Sequence, residues 1–135
     1  MKHLFTFFII PLLVINTSIQ KENFIGKWEG EDQGEIGYIL FDNEGYAAFE
    51  IQGQVLGGKE FTMNGEKGKM TYSINYETEP IEIDFIMTKI ETGESKTILG
   101  IAEFTNESTM IFDMSFDSER PSGFTDTAIT LKRVK

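Results

Sequence analysis

Cysteine is absent from this sequence, and histidine occurs only once, as His3. His3 lies in an N-terminal segment that we expect to be removed, so the remaining chain has neither residue. Thiolate chemistry, Cys–His and His–Ser nucleophilic catalysis and the usual zinc ligands are then missing. Without disulfides the hydrophobic core alone must hold the fold, which is feasible for a domain of this size. We therefore expect no enzyme, no metal and no cofactor.

Long hydrophobic runs are also missing. The longest apolar stretch covers residues 4–15, which is 12 residues interrupted by Pro11. A membrane-spanning helix needs about 20. Lys2 precedes the stretch and the polar sequence NTSIQ follows it. A basic start, a short apolar segment and a polar end are typical of a secretory signal peptide.

The signal peptide sets the expected domain organisation. We predict cleavage near Gln20, with Ser18 at position −3, although glutamine is not the usual small residue before a cleavage site. Residues 1–20 are then the signal peptide, and residues 21–135 form a single domain. The expected location is outside the cell or in a bacterial periplasm. No cysteine follows the apolar stretch to carry a lipid anchor, so we expect no stable membrane insertion after cleavage.

Basic residues are scarce relative to acidic ones, at 12 against 22, which gives a formal net charge of −10. Nucleic acid and anionic membrane surfaces repel such a chain, so neither is an expected partner. The simplest role of the charge is solubility. The alternative, a docking face for a basic partner, would require clustered acids, which the sequence does not show. The charge does not predict an oligomeric state.

Apolar and polar residues alternate with period two over most of residues 26–135. This pattern is typical of half-buried antiparallel strands, and the only helical feature that we expect is a short turn near residues 22–25. We predict an all-β, up-and-down antiparallel barrel of about eight main strands, because closure removes the unpaired edges of a meander. After a first strand at Trp28, the predicted strands cover residues 34–42, 46–52, 69–76, 81–87, 96–104, 109–116 and 127–134, with a short additional strand at 60–63.

The two ends of this domain carry a pair of motifs that belong together. Gly26-x-Trp28 opens the first strand, and the last strand ends in TLKRVK, which contains Lys132 and Arg133. This combination resembles the lipocalin-like (calycin) barrels. The resemblance implies that Trp28 closes one barrel end and that Arg133 or Lys132 packs across it. Residues two apart share a strand face, so Gly26 would make room for the inward indole.

Three further segments resemble, more narrowly, small secreted bacterial lipocalin-like domains of unknown function. They are ILGIAEF at residues 98–104, Arg120-Pro121 followed by Phe124 in a long loop, and ITLKR at residues 129–133. We expect this loop to fold back, with Phe124 on the barrel mouth. Its acids, Asp117 among them, lack the regular oxygen spacing of a calcium loop.

The predicted interior is rich in methionine and aromatic residues, which suit an apolar ligand pocket. The same residues could equally fill an eight-stranded barrel. Two hypotheses therefore remain open. One is a lipocalin-like protein that binds a small apolar or amphipathic molecule. The other is a non-catalytic structural or protein-interaction barrel with a filled interior, which acts through its acidic surface or the segment around Gly57-Gly58. The candidate ligand-binding residues are Phe49, Met70, Tyr72, Phe85, Met87, Met110, Phe112 and Met114.

The strand carboxylates do not form a convincing catalytic pair. Glycosidase chemistry needs two carboxyl groups that face each other across a substrate. Alternation places Glu82, Asp84 and Asp113 on the outer face. Glu103 shares a face with Ile101 and is either buried, where Arg133 or Lys132 could pair with it, or exposed near a strand end.

Overall fold

The computed structural model describes residues 19–135. The predicted signal peptide falls almost entirely on residues 1–18, outside the described residues, and its cleavage stays a prediction. The described chain forms one short helix and ten strands. These are α1 (Lys21–Phe24), β1 (Gly26–Asp32), β2 (Glu35–Phe41), β3 (Ala47–Ile51), β4 (Gln54–Gly57), β5 (Phe61–Met63), β6 (Glu66–Asn75), β7 (Ile81–Lys89), β8 (Ser95–Asn106), β9 (Thr109–Ser115) and β10 (Ile129–Arg133).

The ten strands form one antiparallel sheet in the order β4-β3-β2-β1-β10-β9-β8-β7-β6-β5. The first and last strands pair in the middle of this order, where Trp28 is the direct partner of Arg133. The sheet curls until β6 meets the β3–β4 region. There, the Met70 N–H donates to the Gly58 carbonyl at 2.9 Å and the Tyr72 N–H donates to the Gly45 carbonyl at 3.0 Å. The prediction of an all-β, up-and-down antiparallel barrel is confirmed, and the barrel is nearly closed.

The predicted number of about eight strands is wrong, because β4 was missed and the short β5 completes a count of ten. β4 is only four residues long and is joined to β3 by Gln52-Gly53, both with positive φ (53° and 79°). Such a two-residue turn matches the twist of the strands that it joins. Alternation is hard to detect over four residues in a glycine-rich segment.

The segment around Gly57-Gly58 closes the barrel. A Cβ atom on Gly57 would lie 2.5 Å from the Ala47 carbonyl oxygen, so only glycine permits this approach of β4 to β3. The Gly58 N–H donates to the same Ala47 oxygen at 2.8 Å. The backbone of this segment therefore forms barrel contacts, and docking of a partner through it stays a hypothesis.

One end of the barrel is filled around Trp28, which is fully buried. The indole N–H donates to the Phe24 carbonyl in α1 at 2.8 Å. The Arg133 guanidinium lies 4.4 Å from the centre of the indole ring, and its Nη1 donates to the Ile25 carbonyl at 2.8 Å. A Cβ atom on Gly26 would lie 3.2 Å from Nη1, so Gly26 makes room for the arginine rather than for the indole. We call this the closed end.

A long connection between β9 and β10, residues 116–128, folds back over the outer wall of the barrel; we call it the strap loop. Arg120 Nη1 donates to the Gly100 carbonyl of β8 at 3.1 Å. The Thr127 hydroxyl is 2.8 Å from Asp113 Oδ2. Asp113 is buried although it faces outward, as is its cross-strand partner Ile101. The strap loop accounts for the burial of two side chains on an outer wall.

Candidate functional site: the open end of the barrel

A cavity of about 530 Å³ opens at the barrel end opposite Trp28. Each of the ten strands contributes at least one residue to its wall, from Gly30 in β1 to Leu131 in β10. Its volume falls within the range of about 300–1,000 Å³ that is usual for small-molecule pockets. We call it the mouth cavity.

Five of the eight candidate ligand-binding residues line the mouth cavity: Phe49, Met70, Met87, Phe112 and Met114. They come from β3, β6, β7 and β9, and cross-strand pairing places Met70 directly beside Met87. These five residues provide two aromatic and three thioether side chains. Such side chains give large apolar contact area, and methionine adapts its shape to what it contacts.

The other three candidates lie outside the lining. Phe85 and Met110 are fully buried. Met110 pairs with Phe104, which packs against Trp28 at the closed end. The Tyr72 hydroxyl donates to the Asp42 carbonyl at 2.7 Å. Burial raises the pKa of Tyr72 above its ordinary value, and Tyr76 and Asp42 add to the effect.

Phe85 forms the floor beneath the mouth cavity. Its ring centre lies 5.0 Å from that of Phe49 and 6.1 Å from that of Phe112, both in the cavity wall. On its other side the ring centre of Phe41 lies at 5.8 Å. Phe41 in turn packs against Phe24 of the closed end. The barrel is therefore filled by aromatic packing at one end and open at the other, which is between the two alternatives that the sequence left open.

Sequence reasoning missed the part of the wall that comes from β2, β4 and β10. Ile39, Leu56, Ile129 and Leu131 line the cavity there. The signal for β10 was available, because Ile129 and Leu131 precede Arg133 at intervals of two and so share its inward face. Leu56 lies on the missed strand β4 and had no such signal.

The rim of the mouth cavity combines acidic and exposed apolar side chains. Among the described residues, Asp32 and Glu35 are the only charged ones in its lining, and they face each other across the β1–β2 hairpin. Glu35 Oε2 accepts a hydrogen bond from Gln52 Nε2 at 2.7 Å. Phe116, at the start of the strap loop, is 60% exposed and also belongs to the lining. Phe124, which we expected at the mouth, is half-buried and does not line the cavity.

Lysines lie in a second, adjoining cavity of about 410 Å³, which shares Met63 and Met87 with the mouth cavity. Lys89 Nζ lies 3.4 Å from a Glu66 carboxylate oxygen and 3.6 Å from one of Glu94. The hydrogen bond with Glu66 and the charge of both acids raise the pKa of Lys89 above its ordinary value. The remaining lysines of this cavity are Lys67, which pairs with Glu60, and Lys96.

The strand carboxylates do not converge on the mouth cavity. Glu82 and Asp84 lie on the outer wall, where Arg120 Nη1 is 2.9 Å from Asp84 Oδ1 and Nε is 3.8 Å from Glu82 Oε1. The Asp84 contact is an ion pair without hydrogen-bond alignment, whereas one N–H of Nη1 donates to the Gly100 carbonyl. Glu103 is exposed. Among residues 19–135, no three His, Cys, Asp or Glu side chains lie close enough together to hold a metal ion.

Two further findings concern the chain as a whole. Within residues 19–135, no helix has the length and apolar character needed to cross a membrane. Comparisons with protein-family models, curated proteins and solved structures give no match for this chain. The fold itself defines the class, a small up-and-down antiparallel β-barrel that is nearly closed and is compatible with a lipocalin-like fold.

Proposed function

We propose that this protein binds a small apolar or amphipathic molecule in the mouth cavity, as a lipocalin-like binding protein. The observation that carries this proposal is a cavity of about 530 Å³ whose mostly apolar wall draws on all ten strands. An empty cavity costs the fold packing energy. A bound apolar molecule would recover part of that loss, at roughly 25 cal/mol for each Å² of apolar surface removed from water.

The exposed apolar side chains at the rim support the same proposal. Ile51 is 52% exposed and Phe116 is 60% exposed, and both border the mouth cavity. Large apolar side chains in water are common singly, but a group of them around an opening is typical of a binding site. A ligand that protruded from the cavity would cover them.

The narrower relationship to secreted bacterial lipocalin-like domains is part of this proposal. Its support is a contact between the motifs that suggested it. Arg120, from the RP motif in the strap loop, donates to the Gly100 carbonyl of the ILGIAEF strand, and that strand is joined to ITLKR through β9. Secretion through the predicted signal peptide is consistent with such a relationship.

A second candidate function is protein interaction through the same end of the barrel. Val55 of β4 is 54% exposed and lies outside the cavity lining, and Ile36 of β2 is 50% exposed at the rim of the cavity, where it belongs to the lining. A partner protein could cover this apolar surface without entering the barrel. The acidic net charge would then favour a basic partner.

The test is a titration with N-phenyl-1-naphthylamine, a neutral apolar fluorophore. We expect saturable binding at one site, and loss of binding in Leu56→Trp, which fills the cavity from β4. Val55→Trp is the matched control, because Val55 is the neighbouring residue and lies outside the lining. Both variants should show cooperative thermal unfolding, which establishes that they are folded. Absence of probe binding to the unmodified chain, or undiminished binding to Leu56→Trp, would contradict the proposal.

A further inference from the structure

The charge at the mouth cavity has one sign. Within residues 19–135, Asp32 and Glu35 are its only charged lining residues, and both are acidic and exposed. They are direct cross-strand partners at the tip of the β1–β2 hairpin, so their side chains leave the same face of the sheet. Two carboxylates side by side produce a negative potential at the point where a ligand would project its polar end.

The basic residues near the mouth do not cancel this potential. Lys89 and Lys67 each lie within 3.6 Å of glutamate carboxylates, and the negative charge of these carboxylates offsets the positive charge of the two lysines. Lys96 lies in β8 and is the direct cross-strand partner of Met87 in β7. Strands β9, β10 and β1 separate β8 from β2 in the sheet. Lys96 belongs to the adjoining cavity and does not line the mouth cavity. The acidic side of the mouth is therefore left with its charge.

An aromatic ring stands at the same opening. Phe116 is 60% exposed and lines the mouth cavity together with Asp32 and Glu35. A cation is attracted to the face of an aromatic ring as well as to carboxylates, by about 0.5–1 kcal/mol at exposed sites. The anionic end of an apolar ligand would gain no such attraction from Phe116 and would be repelled by the two acids.

We propose that the ligand of the mouth cavity is a cationic amphiphile, an apolar molecule that carries a positively charged amine. Its apolar body occupies the space between Phe49, Met70 and Phe112, above Phe85, and its amine lies at Asp32 and Glu35. This inference rests on the proposed function and adds the charge class of the ligand. A cationic ligand distinguishes this protein from a carrier of fatty acids, because the carboxylate of a fatty acid would lie beside the carboxylates of Asp32 and Glu35 at the rim.

The test uses three probes with the same ten-carbon chain, namely decylamine, decan-1-ol and decanoate, each below its aggregation concentration. Their binding is measured at neutral pH by calorimetry and by displacement of N-phenyl-1-naphthylamine. We expect affinity to fall in the order amine, alcohol, acid, with the amine at least about fivefold tighter than the acid at low salt. The preference should shrink between about 0.1 M and about 1 M salt, as the Debye length falls from about 10 Å to about 3 Å.

The variant Asp32→Asn with Glu35→Gln assigns the preference to the rim. It should bring the amine and the alcohol to similar affinity and leave the alcohol unchanged. The matched control is Glu77→Gln with Glu107→Gln, which removes the same charge from exposed turns at the closed end. This control should keep the order of the three probes.

The outcomes separate the two proposals. If none of the probes binds, the proposed function fails and the inference falls with it. If all three bind with equal affinity, or decanoate binds best, the cavity is a binding site but the inference is wrong. If the amine preference persists in the Asp32→Asn, Glu35→Gln variant, it comes from the net charge of the protein, and the assignment to the rim is overturned.

Discussion

Arg133 lies across the indole of Trp28, with the guanidinium carbon 4.4 Å from the ring centre. The two residues come from the last and first strands and are direct partners in the pairing that joins them. The same guanidinium donates to the carbonyl oxygens of Asn23, in α1, and of Ile25, just after α1. One side chain thus joins the start of the described chain to its last strand, while the cavity lies at the far end of the barrel.

Truncation of the indole should strongly destabilise the fold. Trp28 is fully buried and packs against Phe104 with ring centres 5.8 Å apart. We expect Trp28→Ala to lower the free energy of unfolding by about 3–5 kcal/mol, because a large buried side chain is replaced by a cavity. Urea denaturation followed by circular dichroism measures the loss. A loss below about 1 kcal/mol would be typical of a surface position and would contradict the role of Trp28 in the core.

Arg133 should contribute through directed bonds as well as through charge. Arg133→Ala removes the cation–π contact and two hydrogen bonds from a charged donor, so we expect a loss of roughly 2–4 kcal/mol in unfolding free energy. Arg133→Lys keeps a cation near the indole but lacks the planar pair of Nη donors that binds the two carbonyls, so its unfolding free energy should lie between those of Arg133→Ala and the unmodified chain. Lys132→Ala is the control, since Lys132 is the exposed neighbour. Equal stability of Arg133→Lys and the unmodified chain would show that charge alone matters.

A basic residue packed across Trp28 could be predicted, and the cavity could not, for a physical reason. The first was implied by the resemblance to lipocalin-like barrels, which left Arg133 and Lys132 open, and the structure places Arg133 there. The second depends on how far inward side chains reach across the barrel, and Phe85 looks like Phe112 in the sequence although one is the floor and the other the wall. β4 was hidden by its four-residue length. The burial of Ile101 on an outer wall requires a loop from elsewhere in the chain, which alternation does not encode.

Arg120 should hold the strap loop on the outer wall. It binds the Gly100 carbonyl and pairs with Asp84 and Glu82. We expect Arg120→Ala to cost about 1–3 kcal/mol, because the partly buried Asp84 loses its partner. Amide hydrogen exchange should accelerate at Ile101 and Asp113, which the loop covers. Lys135→Ala, at an exposed chain end, should change neither quantity. An unchanged exchange rate at Ile101 in Arg120→Ala would mean that other contacts hold the loop.

Tyr72 makes the fold sensitive to alkaline pH. Burial, followed by Tyr76 and Asp42, raises the pKa of Tyr72 in the folded state above its ordinary value of 10.0. The unfolded chain therefore loses this proton at lower pH than the folded one. The associated stability is complete below about pH 10 and is lost as pH rises through the folded-state pKa. Urea denaturation across this window should show a smaller fall for Tyr72→Phe than for the unmodified chain. An identical pH dependence would contradict the raised pKa.

Phe85 should set the depth of the mouth cavity. Its ring lies under Phe49 and Phe112 and separates them from Phe41. We expect Phe85→Leu to destabilise the fold by about 1 kcal/mol or more, and to extend the cavity downward so that it holds a longer chain. The affinity ratio of dodecan-1-ol to decan-1-ol should therefore rise. Phe24→Leu is the matched control, because Phe24 is equally buried at the closed end. It should cost comparable stability and leave the ratio unchanged. A rise in both variants would point to general loosening of the barrel, and a rise in neither would place the floor elsewhere.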